Sequence, residues 1–214
     1  MDTNVLERFE ELDENIKNDF VSKYDAKNVE LYDVNDIIKN KIKLSVPFLN
    51  KRGLAKFHLL YPNSEGIYTR FMFETPYLFV PFGLDNENNK KFWMKVEIRG
   101  FKKKKSEEYV LFELMLYLNS FLQEKLKIFF DDNLLYYRLM SLCDNPKYPP
   151  FIKLRIPHMK NYFNVNCFNK EGDHKTVYDI GKCTKVKFLL NPLDFWSNEG
   201  YFGSMWSVNK LIID

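Results

Sequence analysis

KVKFLLNPLDFW (Lys185–Trp196), the turn NEG (Asn198–Gly200) and YFGSMWSVNKLIID (Tyr201–Asp214) decide the reading of the fold. In the first run Lys185 and Lys187 alternate with Val186 and Phe188. The second run returns through Trp206 and finishes on Leu211, Ile212 and Ile213. Two aromatic and β-branched runs separated by a glycine-containing turn predict a long terminal β-hairpin. Trp196, Tyr201, Phe202 and Trp206 fall around its tip. Rings beside lysines on strands are what binders of single-stranded nucleic acid use.

The same period-two signal recurs upstream. KIKLSVPF (41–48), LAKFHLLY (54–61), IYTRFMFETP (67–76) and KFWMKVEIRG (91–100) read as strands, broken by NKRG, PNSEG and PFGLDNENNK. PYLFVPF (76–82) reads as a short strand whose two prolines assign it to an edge. Successive side chains on a strand point to opposite faces. Phe92, Met94, Val96 and Ile98 therefore oppose Trp93, Lys95, Glu97 and Arg99. By the same parity Phe57, Leu59 and Tyr61 oppose Lys56 and His58, and Ile42, Leu44 and Val46 oppose Lys41 and Lys43. Thr69, Phe71 and Phe73 oppose Tyr68 and Arg70. Further on, Lys153 and Arg155 alternate with Ile152, Leu154 and Ile156 in FIKLRI, and YFNVNCF follows.

Two helices are expected. Val5, Phe9, Leu12, Ile16 and Phe20 recur at helical spacing between acids, an amphipathic pattern that docks on something. Residues 21–40 read as a polar linker. Ser106 followed by Glu107 and Glu108 opens a long apolar helix, with Lys125 and Lys127 near its end as the helix dipole favours. NLLYYRLMSLC (133–143) reads as a second short helix ended by DNPKYPP.

At 214 residues, 45% hydrophobic and 29% charged, the chain is expected to fold around a sizeable core. Aromatics reach 17%, and part of that excess reflects a composition like that of an A+T-rich genome. The net charge of +3 hides an asymmetry: residues 1–36 hold 11 acids and 4 bases, and the remainder 18 acids and 28 bases. A basic body attracts polyanions, and an acidic arm competes for the same surface. No apolar run is long enough for a membrane span, and MDTNVLERFEELDE has no signal-peptide character. Cys143, Cys167 and Cys183 cannot all pair, so free thiols and a cytoplasmic location are expected.

Catalytic patterns are missing from the sequence. His58, His158 and His174 are scattered, there is no Cys–His zinc spacing, and no Walker, GxGxxG or GxSxG loop occurs. Asp131–Asp132 offers carboxylates for Mg²⁺, but a solvated turn after the helix is the simpler reading.

With this order of elements the chain resembles the OB-fold single-stranded DNA-binding proteins of large cytoplasmic DNA viruses and of yeast cytoplasmic linear plasmids. The resemblance covers residues 40–214 and lies in layout. It comprises strands with a basic, aromatic face (Ile42–Gly100), the long helix (Glu107–Phe130), PPFIKLRIP, YFNVNCF and the final hairpin. Its most specific part is a Trp closing one strand, a glycine-containing turn, and Trp206 separated by four residues from Leu211-Ile212-Ile213. The resemblance implies sequence-tolerant binding on the barrel face and protection of single strands during replication. It carries no catalytic motif. Many such binders end in an acidic tail, whereas this sequence carries its acids at the front.

The expected fold is α+β and mainly β: an elaborated OB-like barrel with one long helix between strand sets and a long C-terminal β-hairpin. Residues 1–36 would form an acidic helical arm and 37–214 the OB-like nucleic-acid-binding domain. The residues expected to meet nucleic acid are Lys43, Lys56, Tyr68, Arg70, Trp93, Lys95, Arg99, Lys102, Lys103, Lys104, Lys105, Lys153, Arg155, Lys185, Lys187, Trp196, Tyr201 and Phe202. No catalytic residue, metal or cofactor is expected. The expected partner is single-stranded DNA, with RNA left open, together with a second subunit or a replication protein docked on the N-terminal helix. No membrane partner is expected. Two other classes stay open: a non-catalytic structural or virion scaffold protein, and a nucleic-acid-processing enzyme whose carboxylates assemble from distant positions.

Overall fold

The computed structural model describes residues 3–51, 55–87, 91–130, 133–142, 147–159, 162–192, 196–198 and 200–214. The principal elements run, in chain order, α1 (Thr3–Glu10), β1 (Asp25–Asp33), β2 (Lys43–Ser45), β3 (Leu59–Pro62), β4 (Tyr68–Glu74), β5 (Leu78–Val80), β6 (Leu84–Glu87) and β7 (Lys91–Glu97). They continue with α2 (Glu107–Lys127), β8 (Leu135–Tyr137), β9 (Phe151–Ile156), β10 (Asn166–Asn169), β11 (Thr184–Pro192), β12 (Trp196–Asn198), β13 (Tyr201–Gly203) and β14 (Trp206–Ile213).

The alternation that marks the strands in the sequence also sorts their faces. Phe92, Met94 and Val96 of β7 are buried, as are Ile152, Leu154 and Ile156 of β9 and Val186, Phe188 and Leu190 of β11. These rows point to a common interior because the strands close on themselves. β5 pairs β7, β7 pairs β9, β9 pairs β14, β14 pairs β11, and β11 returns to β5. Every pairing in this ring is antiparallel except β9–β14. Taken in chain order, the neighbours run first, second, third, fifth, fourth. The result is a closed, five-stranded OB-like barrel.

Closure depends on a corner. β4 and β5 both run along β11, and the chain bends between them at Thr75-Pro76-Tyr77. Thr75 is buried and keeps the ladder intact there: its N–H donates to the Phe188 carbonyl at 2.8 Å, and its Oγ1 accepts the Phe188 N–H at 3.0 Å. PYLFVPF is therefore an interior barrel strand and not the edge its prolines suggested. Pro76 and Pro81 lie just outside the paired residues 78–80, so their missing N–H groups fall at bends.

The long helix starts as the sequence implies. Ser106 Oγ accepts the Tyr109 N–H at 3.1 Å, with Glu107 and Glu108 in the first turn and Lys125 and Lys127 in the last. Leu111, Leu114, Met115, Leu118, Leu122 and Leu126 are buried. At about 1.5–3 kcal/mol per buried side chain, this row holds α2 against the sheet far more firmly than any cap does. The helix ends at Lys127, short of the expected Phe130.

Other expectations need correction. Residues 133–143 do not form a second helix. β8 pairs parallel with β13, Met140–Ser141 pairs with β9, and the Leu139 N–H is taken by Asn119 Oδ1 at 2.8 Å. Residues 21–40 are not a linker, since β1 runs parallel to β4 from Asp25↔Thr69 to Asp33↔Glu74. The single N-terminal helix is broken after Glu10, and Asp13 starts a separate turn over Glu14–Lys17. Its apolar stripe is occupied by the chain itself. Phe9 and Phe20 meet edge-on at 5.4 Å, and both contact Phe129. Ile16 alone of the stripe is left substantially exposed. The Asp19 carboxylate anchors the segment to α2 through Lys125 Nζ at 2.6 Å, a hydrogen bond that holds its pKa below the usual carboxylate value.

Replacing Thr75 by Val leaves the buried Phe188 amide without an acceptor. It is expected to lower stability by about 1–3 kcal/mol in urea unfolding, whereas Thr75→Ser recovers most of that loss.

Candidate nucleic-acid interface

The outward faces of β7 and β9, second and third in the ring, lie side by side. Their register sets Trp93 beside Arg155, Lys95 beside Lys153 and Glu97 beside Phe151. Strand parity alone would give two rows of exposed side chains. Antiparallel pairing interleaves them, so rings and cations meet. Lys153 Nζ lies 4.6 Å from the Trp93 ring centre. Lys95 Nζ lies 4.1 Å from the Phe151 ring and 5.6 Å from that of Phe82. The Arg99 guanidinium sits 3.2 Å over Phe79 and bonds Glu97 Oε2 through Nε at 3.1 Å.

These groups line a cleft of about 440 Å³ bounded by Phe82, Trp93, Lys95, Phe151, Lys153 and Lys182, with Asp85 on one wall. Lys182 is brought in by the packing of Gly83 on the Ile180–Gly181 backbone. Gly83 has φ +74°, and a Cβ there would lie 3.0 Å from the Ile180 carbonyl oxygen. A second concavity of about 460 Å³ follows along Glu97, Arg99, Phe101, Lys102, Lys147 and Tyr148. The register extends the face sideways as well, since Lys185, Phe79, Glu97 and Phe151 form one transverse row over β11, β5, β7 and β9.

The structure thus brings Trp93, Lys95, Arg99, Lys153, Arg155 and Lys185 onto one continuous surface, with Lys102 at its border. Lys103, Lys104 and Lys105 follow on an exposed loop, where Lys105 takes a left-handed backbone at φ +78°. Other predicted residues lie apart from this cleft. Lys43, Lys56, Tyr68 and Arg70 belong to the strands before the barrel: Lys43 lies on β2 within the field of Asp19, and Arg70 acts on Tyr24. Lys187 is committed to Glu74 at 3.2 Å. Phe202, expected at the surface, is 2% exposed and stacks on Phe130 at 4.9 Å, because β13 turns that side chain under the small sheet it forms with β8 and β12. Tyr136 is half-buried beside it with its hydroxyl shut from solvent, and that burial raises its phenol pKa. Trp206 is core, edge-on to Phe73 at 5.4 Å. Tyr201 is exposed on the small sheet next to Leu135. The Trp196 side chain lies outside the described residues, as does the Asp131–Asp132 pair.

Phe79, Phe82, Phe151 and Lys182 went unremarked in the sequence. Phe151 carried a usable signal, since it shares parity with Lys153 and Arg155 in FIKLRI. Phe82 and Lys182 carried none, because they arrive through loops. The histidines pack against rings: His58 with Phe48 and Tyr24, His158 with Phe92 and Phe163, His174 with Phe168. Among the described residues no group of three His, Cys, Asp or Glu is placed to hold a metal ion, and no helix is long and apolar enough to cross a membrane.

No family model matches the chain, and no curated protein matches it in sequence. Among solved structures it is similar to the single-stranded DNA-binding protein of bacteriophage Enc34, at a TM-score of 0.44 and 10% identity over 72% of this chain and 83% of that one. A C-terminal truncation of the phage protein gives 0.45 and 9% over 81% and 93%. Its complex with ssDNA gives 0.43 and 11% over 73% and 89%.

The different burial of adjacent residues at the hairpin tip separates their roles. Phe202→Ala is expected to cost about 3–5 kcal/mol in urea unfolding, and Tyr201→Ala within about 0.5 kcal/mol of none.

Proposed function

We propose that the protein binds single-stranded DNA without strong sequence preference and without catalysis, through the outward face of β7 and β9. The observation that carries this reading is the interleaving of Trp93, Lys95, Phe151, Lys153 and Arg155 on adjacent strands. A single strand needs cations for its phosphates and flat rings for its unpaired bases, and this face offers both at the spacing of neighbouring side chains. In an OB-type barrel the face of the second and third strands is also where the curvature presents a groove to an oligonucleotide. Trp93 and Phe151 are the stacking platforms. Lys95, Lys153, Arg155 and Arg99 take the phosphates, and Lys102–Lys105 forms a mobile outer clamp. The role that follows is protection of single strands exposed during replication.

The two other classes differ in observable ways. A scaffold protein would not shift oligo-dT in a native gel. A processing enzyme would degrade it in a metal-dependent manner. Single-strand binding in preference to duplex of equal length, with intact DNA, supports the proposal. Oligo-RNA of the same length tests whether the 2′-hydroxyl matters.

Oligo-dT titration followed by tryptophan fluorescence gives the quantitative test. Trp93→Ala is expected to weaken binding by about 5- to 100-fold, which corresponds to about 1–3 kcal/mol for one stacked base. Unchanged affinity in the folded variant removes Trp93 from the interface.

The affinity should fall with salt at a log–log slope of about −0.7 per phosphate contacted. Arg155→Ala is expected to flatten that slope by about 0.7, while Lys187→Ala, already neutralised by Glu74, leaves it unchanged. Equal effects of the two variants would place the DNA elsewhere.

A further inference from the structure

One strand beyond Arg155 the barrel surface changes character. Arg155 pairs with Ser207 across the β9–β14 ladder, and Ser207 opens a second cleft of about 550 Å³ between β14 and β10. Its size falls in the range of small-ligand sites. Asn164, Asn166, Ser207, Asn209 and Lys210 line it, with Leu189 as an apolar wall and no carboxylate among the described residues.

The polar groups there are held in place by backbone, while their side chains remain largely uncommitted. Asn166 is fixed beside Lys210 by the β10–β14 register, and the Asn164 N–H is tied to the Pro157 carbonyl at 2.8 Å. Asn209 donates to Met72 Sδ at 3.4 Å, which leaves its carbonyl oxygen available. The side chains of Asn164 and Asn166 are exposed and have no partner among the described residues. Ser207 is 5% exposed, and its hydroxyl likewise has no partner among the described residues. That hydroxyl faces the cleft and is available to a ligand atom. Lys210 supplies an ammonium with no carboxylate partner among the described residues, resting 5.4 Å from the Phe168 ring.

We propose that this cleft reads a nucleobase with its attached phosphate. An amide side chain presents an acceptor and two donors. Base edges set donors and acceptors side by side, which is the pattern asparagine matches. Lys210 takes the phosphate. The proposal rests on the single-strand reading and deepens it. As the strand leaves Arg155, one base turns into the cleft, so binding that is otherwise sequence-tolerant acquires a base preference at this position.

The test measures the dissociation constants of the full chain for oligo-dA, oligo-dC and oligo-dT of equal length at one salt concentration. The wild type is expected to span about fivefold or more between the tightest and the weakest, as one direct base contact provides. Asn164→Ala/Asn166→Ala, made at exposed positions, is expected to compress that span to within about twofold, and Ser207→Ala to reduce it in part. Trp93→Ala should instead weaken all three by a common factor. Single-strand binding whose base span is unchanged in the double variant overturns this proposal alone. Failure to bind any single strand overturns it together with the function it rests on. Competition by deoxynucleoside monophosphates in the same base order, lost in the double variant, supports the pocket and identifies the free nucleotide as an occupant. No competition with an intact span assigns it to the strand.

Discussion

A five-stranded sheet has two open edges, and here both vanish because β11 is paired on either side: to β14 along its length, and to β5 and β4 across the Thr75 corner. A buried edge with unpaired amides is costly, at about 1–3 kcal/mol for each orphaned group. The corner therefore decides whether the ring closes. Thr75 is suited to it because its hydroxyl accepts the amide of Phe188 where the bend removes the backbone acceptor. Once the ring is closed, the rows of buried side chains have a single interior, and α2 and Phe129 cover what the ring leaves open. Closure also fixes the outside. Because β7 and β9 are held in one register by their neighbours, the positions of Trp93, Lys95, Lys153 and Arg155 relative to one another are set by backbone hydrogen bonds and not by the side chains themselves.

The period-two signal made much of this legible. KFWMKVEIR and FIKLRI gave the correct parity and the correct outward residues, since a strand's two faces are encoded in consecutive positions. Ser106-Glu107-Glu108 likewise located the start of α2. Failures cluster where long-range pairing overrides local pattern. Asp25–Asp33 is polar enough to read as a linker, yet β4 offers it a ladder, and Tyr32 fills a gap against Tyr61 and Phe71. Leu135–Tyr137 reads as helical until β13 arrives beside it from far along the chain. Phe202 and Tyr201 are adjacent and chemically alike, and only the fold of the hairpin tip decides which is core. At the interface, Phe82 and Lys182 come from loops whose approach depends on the close contact at Gly83, which no periodicity announces.

The acidic N-terminal segment acquires a different meaning in the folded chain. Its apolar residues are spent on the chain's own core through Phe9, Phe20, Phe57 and Phe129. What remains outside is a row of carboxylates at Glu7, Glu10, Glu11, Asp13 and Glu14. Repulsion from such a row disfavours a polyanion on that side of the molecule. In the proposed complex the charge asymmetry of the sequence would orient a nucleic acid by exclusion as well as by attraction.

The rings of the proposed interface are already engaged by the chain's own cations. Lys153 lies over Trp93 and Lys95 over Phe151, so a base that stacks must take a place now held by an ammonium. The magnitudes decide whether that exchange is favourable. A cation over a ring at an exposed site contributes about 0.5–1 kcal/mol. A stacked base contributes about 1–3 kcal/mol, and the displaced ammonium would be free to pair with a phosphate of the same strand. In the proposed complex each lysine would pass from a weak partner to a strong one as its ring passes from a cation to a base. Until then the pairing keeps both side chains extended on the face, which reduces the rotamer freedom that binding has to remove. An aromatic residue without its lysine would be free to fold down onto the barrel. A lysine without its ring would sample solvent. If the proposed function holds, the alternation along β7 and β9 would prepare the surface for a strand as well as supply its contacts.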